Sequence, residues 1–221
     1  MRMIEKFLLA CVFFGVTVCA SAAEPKAGVE YLVLPKPQAT EPGKKIEVTE
    51  FFAYYCPHCN AFDPLLTAWV KHQGDTIIFK RVHVQRDANV LPQQRLFYTL
   101  EALNMVDQYH SRVFSAMHND HLRLNRDELV FDWVEKAGIN RMSFIDTYRS
   151  FGVQARVRRA NGMMDAYKID QWPMIAIDGR FLTSPSQANE GATSPQTESA
   201  QQQMALQVMD YLVAKAKAEK K

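Results

Sequence analysis

The residues of this sequence best suited to chemistry are two cysteines with two residues between them, in the segment Cys56-Pro57-His58-Cys59. Two thiols at this spacing can form a disulfide and be reduced again. One sulfur then makes a mixed disulfide with another molecule, and the second sulfur resolves it. His58 brings N–H donors, and a positive charge when protonated, close to the Cys56 sulfur. The motif predicts a thiolate at Cys56 and a resolving thiol at Cys59.

The expected pKa of Cys56 gives the pair a redox direction. We expect this pKa to lie well below the free value of about 8.5. A drop of roughly four units would favour the thiolate by about 5 kcal/mol, at about 1.36 kcal/mol per unit. Such a stabilised thiolate favours the reduced dithiol over the disulfide, so the disulfide form should oxidise other thiols. The sequence therefore predicts a dithiol oxidase rather than a reductase.

Two acidic residues flank the cysteine motif and have different expected roles. Glu50 lies six residues before Cys56 in an apolar run, where a carboxylate is costly without a task or a partner. It is a candidate to accept the proton from Cys59 during exchange. The alternative is that strand alternation turns Glu50 to solvent. Asp63 lies seven residues after Cys56, and early helix positions favour acids whether or not they function.

A second candidate element is the dipeptide Trp172-Pro173, which opens a late apolar run. A proline cannot donate a hydrogen bond to a strand ladder, and X–Pro bonds are the usual place for cis peptides. A cis-proline facing the cysteines would leave backbone groups of Trp172 available to an extended substrate. An ordinary trans-proline at a strand end fits the sequence equally well.

Regular elements are expected to position these residues. Ile46–Phe52 reads as a buried strand that runs up to the cysteines, and a helical pattern begins at Cys59. A second strand at 76–84 and a mostly helical block at about 91–167 follow. Asp178-Gly179 predicts a tight turn between two late strands. The polar stretch at about 184–203 reads as a loop or mobile linker, followed by an amphipathic helix at 204–220.

The first 23 residues resemble a cleaved secretory signal. A short basic start precedes an apolar run at 7–19, and Ala20-Ser21-Ala22-Ala23 supplies small residues for cleavage. Removal of this segment takes away Cys11 and Cys19 and leaves only Cys56 and Cys59. One closely spaced pair makes a poor structural framework, so reactivity explains it better. The formal net charge of +2 gives no reason to expect nucleic-acid binding.

The segment Glu50–Cys59, with the sequence EFFAYYCPHC, resembles the active-site segment of the DsbA family of bacterial periplasmic thiol–disulfide oxidases. The resemblance implies an α/β thioredoxin-like fold with a large inserted helical domain. Its parts would be a signal peptide at 1–23, a first thioredoxin part at 24–90, the insertion at 91–167 and a second thioredoxin part at 168–221.

The same resemblance assigns roles to residues. Cys56 would be the nucleophile, Cys59 the resolving cysteine, Glu50 the buried acid and Pro173 the cis-proline. Arg81 falls where the family often has a lysine near that acid. Trp172 departs from the small or β-branched residue usual before the cis-proline, which leaves substrate choice open.

The resemblance also implies partners. Substrates would be reduced or unfolded exported proteins, and a quinone-linked membrane oxidase of the DsbB type would reoxidise the pair. We expect a periplasmic monomer that needs no cofactor and no metal.

Other classes of function fit parts of the pattern. A disulfide isomerase or reductase of the same superfamily would use the same motif, although an isomerase usually needs a dimerisation module. A zinc-binding module would need ligands beyond two cysteines and one histidine. A non-catalytic chaperone would carry the thiol pair incidentally. The remaining histidines, including His83, His110 and His118, are treated as structural.

Overall fold

The computed structural model describes residues 24–220. Within this range a single mixed sheet has the strand order β1-β5-β4-β2-β3. Its strands are β1 (Leu32–Val33), β2 (Ile46–Phe52), β3 (Ile77–His83), β4 (Met174–Ile177) and β5 (Phe181–Thr183). The helices are α1 (Pro57–Gln73), α2 (Leu91–Ala102), α3 (Val106–His118), α4 (Asp127–Lys136), α5 (Arg141–Tyr148), α6 (Phe151–Tyr167), α7 (Pro185–Ala188) and α8 (Glu198–Glu219).

Strand β2 is the element that aims the cysteine motif. It has the predicted bounds, and all seven of its residues are buried. It pairs in parallel with β3, so that Glu50 lies beside Arg81, and it pairs antiparallel with β4 on its other edge. Its β-branched and aromatic residues indicated a strand in the sequence, although Glu47 and Glu50 are buried within it.

Two apolar cores lie on opposite faces of this sheet. One joins Ile46 and Val48 to Phe62 of α1 and to Met209 of α8. The other joins Phe51 and the end of β2 to the helices α2–α6, which stand between β3 and β4 in the chain. The fold is therefore the α/β thioredoxin-like arrangement with a helical insertion that the sequence predicted.

The late hairpin also forms as predicted. Asp178 and Gly179 both have positive φ, at 53° and 64°, which suits the tight turn between β4 and β5. A Cβ atom at Gly179 would lie 2.3 Å from the Gln38 carbonyl oxygen, so the position requires glycine. The turn fixes the register that brings Pro173 to the start of β4.

The predicted loop at 184–203 is wrong at both ends, where helices form, although residues 189–197 do lie between helices. Ser184 caps the short helix α7 by accepting a hydrogen bond from the Gln187 N–H. Thr197 caps α8 in the same way, and α8 begins at Glu198 rather than at residue 204. The polar composition suggested a linker, but capping side chains and the buried Ala188 and Gln202 stabilise helices here.

No helix within residues 24–220 is both long enough and apolar enough to span a membrane. The predicted signal segment at 1–23 lies outside the described residues.

Candidate active site

The cysteine motif lies where β2 gives way to α1. Pro57 is the first residue of the helix, a position where a missing N–H costs nothing. Cys56 is the residue that caps this helix, and its Sγ accepts a hydrogen bond from the Cys59 N–H at 3.3 Å. Cys59 is fully buried one turn further in, and both cysteines are thiols in this structure. The unpaired N–H groups of the first turn therefore point at the Cys56 sulfur.

This position lowers the pKa of Cys56 to about 7. The largest cause is a hydrogen bond from the Cys59 thiol, and the backbone N–H groups of Cys59 and His58 and the charge of His58 add to it. Burial of Cys56 opposes the shift. The direction of this change agrees with the sequence prediction. The pKa falls by less than the sequence prediction allowed, because that prediction did not include the burial of Cys56.

Cys59 behaves in the opposite way. Burial raises its pKa well above the usual value, and the neighbouring Cys56 and Glu50 raise it further. At neutral pH Cys59 is therefore a thiol while a large part of Cys56 is thiolate. The two sulfurs are suited to different steps of an exchange reaction.

On the solvent side of the motif, His58 meets an acid from the far end of the chain. His58 Nδ1 lies 2.8 Å from Glu198 Oε1 at the start of α8, and both side chains are about half exposed or more. The hydrogen bond from His58 to Glu198 raises the pKa of His58. The sequence did not indicate this contact, because it depends on where α8 begins.

On the buried side, Glu50 and Asp63 share one cation. Arg81 donates from Nε to Glu50 at 2.9 Å and from a terminal nitrogen to Asp63 at 3.0 Å. Glu50 is fully buried, so the alternative that it faces solvent is wrong. Burial raises its pKa to about 7, although Arg81 opposes that shift. Its second oxygen, Oε1, has no hydrogen-bond partner among residues 24–220.

Asp63 is held in its charged form. Burial raises its pKa, but His110 and Arg81 outweigh burial and keep the pKa below the usual value. His110 Nε2 lies 3.3 Å from Asp63 Oδ1, in ion-pair range but outside good hydrogen-bond geometry. The two acids thus differ: Asp63 is ionised at neutral pH, while Glu50 titrates there.

Trp172 and Pro173 meet the motif from the side of β4. The bond between them is cis, which resolves the alternative left open by the sequence. The Cys56 thiol donates to the Trp172 carbonyl oxygen, with 3.6 Å between sulfur and oxygen. The Trp172 ring stands edge to face against Tyr55, with the centroids 6.2 Å apart. The backbone at residue 172 therefore lies beside the reactive sulfur.

A groove of about 340 Å³ runs past this point. Its walls include His58, Trp172, Pro173, Glu198 and Gln202. His58, Trp172 and Pro173 are thus brought together along this groove, while Cys59 and Glu50 are fully buried behind it.

Three histidines that were treated as structural surround Tyr54, two residues before Cys56. His83 Nε2 accepts from the Tyr54 N–H at 3.1 Å, His110 Nδ1 lies 3.0 Å from its hydroxyl, and His118 Nε2 donates to its carbonyl oxygen at 2.8 Å. Burial lowers the pKa of His83 to about 3, so it stays neutral. These contacts fix the backbone of the loop that carries Cys56. Spacing gave a partial signal, since His110 and His118 lie two turns apart on one face of α3.

No group of three or more potential metal ligands occurs in the described part of the chain, residues 24–220.

The chain is similar to known proteins over almost its whole length. A family model described as a DSBA-like thioredoxin domain matches residues 47–200. The thiol:disulfide interchange protein DsbA of Bordetella parapertussis is 33% identical over 212 residues, which cover 96% of each chain. The protein of the same name from Burkholderia cepacia is 33% identical over 220 residues, 99% of each chain. The crystal structure of Pseudomonas aeruginosa DsbA superposes with a TM-score of 0.79 at 28% identity, covering 88% of this chain and 96% of that one.

Proposed function

The chain belongs to the DsbA-like thioredoxin family, and we propose that it introduces disulfide bonds into exported proteins through Cys56 and Cys59. It is a protein dithiol:disulfide oxidoreductase. The observation that carries this proposal is the placement of the two sulfurs: Cys56 Sγ caps α1 and accepts from the Cys59 N–H, while Cys59 is fully buried one turn further in. Their pKa values shift in opposite directions accordingly.

The reaction starts from the disulfide form of the pair. A substrate thiolate attacks Cys56 Sγ, a new sulfur–sulfur bond forms, and the Cys56–Cys59 bond breaks. Cys59 leaves with the electron pair and takes up a proton. A second substrate thiolate then attacks the substrate sulfur of the mixed disulfide and displaces Cys56 as a thiolate. Two substrate thiols have become a disulfide, and the Cys56–Cys59 pair has gained their two electrons.

The lowered pKa of Cys56 sets the direction of this exchange. A thiolate of lower pKa is a better leaving group, so Cys56 is displaced readily in the second step. Stabilisation of the reduced form also makes the disulfide form more oxidising. The N–H groups of α1 and His58 supply this stabilisation.

Glu50 is suited to protonate Cys59 as that sulfur leaves. Its pKa of about 7 means that it holds a proton in part of the molecules at neutral pH, and its charge is close enough to affect the pKa of Cys59. The unpartnered Oε1 gives a water or the thiol a place to bind. Trp172 and Pro173 would hold an extended substrate next to Cys56 through the backbone at residue 172.

We infer a periplasmic location, with residues 1–23 as a cleaved signal peptide. The substrates are then reduced or unfolded exported proteins, and a quinone-linked membrane oxidase of the DsbB type restores the disulfide. The protein acts as a monomer without a cofactor, and nucleic acid has no part in its function.

Two measurements test the proposal. The oxidised protein should convert a reduced, unfolded test protein to its disulfide form, and Cys56→Ser should abolish this activity. A redox equilibrium with glutathione should give a potential well above the value of about −270 mV typical of thioredoxin. A potential near that value would contradict an oxidase and favour a reductase.

A further inference from the structure

A cavity of about 540 Å³ lies beside Tyr55 and shares no lining residue with the groove. Its walls come from the loop before Cys56, the segment that follows β3 and the connection between α3 and α4. The exchange reaction described above uses none of the side chains that line this cavity. Tyr55 alone among them belongs to the loop that carries Cys56. The cavity therefore has no assigned occupant.

The lining of this cavity carries an excess of positive charge. Arg86 and Arg123 contribute to it, and Asp87 is its one acid. Asp87 lies 3.1 Å from Arg86 and so is already paired. Arg123 is exposed and makes no ion pair within residues 24–220. The cavity is thus suited to an anionic group.

The wall also contains buried polar atoms that the protein leaves unpaired. Gln93 is only 3% exposed. Its Nε2 donates to the Arg123 carbonyl oxygen at 3.0 Å, while its Oε1 has no partner in the described part of the chain. The buried hydroxyl of Tyr55 has none either. An acceptor and a hydroxyl together match the N–H and C=O groups of a polypeptide, and pairing them would remove a desolvation cost.

Tyr55 joins this cavity to the reactive surface. Its ring lines the cavity and contacts Trp172, which lines the groove. A polypeptide whose cysteine is bonded to Cys56 would therefore reach the cavity with residues that flank that cysteine. In the groove the one acid, Glu198, is paired with His58, and no arginine or lysine among residues 24–220 lines it, so the groove has no counterpart of Arg123.

We propose that the cavity beside Tyr55 binds an acidic stretch of the reduced polypeptide, next to the cysteine that reacts with Cys56. Arg123 forms an ion pair with the acidic side chain. Gln93 and Tyr55 form hydrogen bonds with the backbone of the bound stretch. This inference rests on the proposed function, because it names the kind of substrate that the oxidase prefers.

The test compares three peptides that each contain two cysteines. One has neutral amide residues beside the first cysteine, one has two acidic residues before it, and one has two after it. Their oxidation by the disulfide form is followed at an ionic strength of about 0.01 M, where charges act over about 30 Å. At least one acidic peptide should react faster than the neutral one, by roughly two- to fivefold, the range of one exposed charge pair.

Arg123→Gln should remove this advantage, and Arg123→Glu should reverse it. Arg158→Gln is the matched control, because Arg158 is exposed on α6 and does not line the cavity. Equal rates for all three peptides with the unaltered protein would overturn the inference. An advantage that survives Arg123→Gln would overturn it as well.

Oxidation of dithiothreitol, which is small and uncharged, separates this inference from the proposed function. All variants should oxidise it at the same rate as the unaltered protein. If the unaltered protein fails to oxidise dithiothreitol, the proposed function is wrong. If it does oxidise dithiothreitol but shows no preference among the peptides, only the binding site is wrong.

Discussion

The two sides of the cysteine motif each hold an acid and a cation, but their environments differ. Behind the cysteines, Arg81 bridges Glu50 and Asp63 where all three side chains are mostly or fully buried. In front, His58 meets Glu198 in a pair that solvent largely surrounds. The same kinds of charge should therefore have large effects behind the motif and small ones in front, since water screens the exposed pair. Burial, rather than the number of ion pairs, decides how strongly each side acts on the fold and on the sulfurs.

The largest expected effect comes from removal of the buried cation. Arg81→Met leaves Glu50 and Asp63 without their shared partner, and breaking a buried pair in this way costs about 3–5 kcal/mol. The free energy of unfolding, measured with urea at pH 7, should fall by that amount.

Arg141→Met is a matched control on the surface. Arg141 also bridges two acids, Asp132 and Glu135, but all three are exposed or partly exposed. Its loss should cost less than about 1 kcal/mol. Equal losses in the two variants would contradict the distinction between the buried and exposed charges.

The next effect is the pH dependence contributed by Glu50. Its pKa rises from 4.5 to about 7 on folding, so the folded state holds a proton that the unfolded state has lost between these values. Glu50 therefore makes the protein less stable as pH rises from about 5 to 7, by about 2 kcal/mol at no more than about 1.36 kcal/mol per unit.

Glu50→Gln isolates this contribution. Urea unfolding of both proteins at pH 5 and pH 7 should show that the loss of stability over this interval is smaller, or reversed, in the variant. Contributions from groups that do not interact with Glu50 cancel in the difference. Parallel pH profiles in the two proteins would contradict a raised pKa at Glu50.

The smallest effect belongs to the exposed pair. Glu198→Gln removes the partner that raises the pKa of His58, so less positive charge stands beside Cys56 at pH 7. The rate of alkylation of Cys56 at that pH should fall by less than about threefold, the range of an exposed pair. Glu190→Gln, an exposed acid outside the groove, should leave the rate unchanged. A tenfold loss of the alkylation rate in Glu198→Gln would contradict the small effect expected of an exposed pair.

The sequence predicted the elements that local pattern determines. Strand β2 was predicted with its observed bounds because β-branched and aromatic residues make up most of it, and Asp178-Gly179 identified the hairpin because both residues adopt positive φ. The cysteine motif could be identified because two cysteines at that spacing have few other uses, whereas the sequence left the roles of Glu50 and Asp63 open.

Contacts that depend on register or on distant segments could not be predicted in this way. Arg81 reaches Glu50 because β2 and β3 pair in parallel at that register, and it reaches Asp63 because α1 packs over both. Glu198 meets His58 only because Thr197 starts α8 earlier than the apolar pattern does. The arrangement of His83, His110 and His118 around Tyr54 joins β3 to the helical insertion, which no local pattern shows.

The most direct test of this account is the reactivity of Cys56 with iodoacetamide across pH, with the alkylated residue identified by mass spectrometry. The reduced protein should react at Cys56 with a midpoint near pH 7, while the buried Cys59 stays unmodified throughout. A midpoint near the free-thiol value of about 8.5, or equal labelling of the two cysteines, would contradict it.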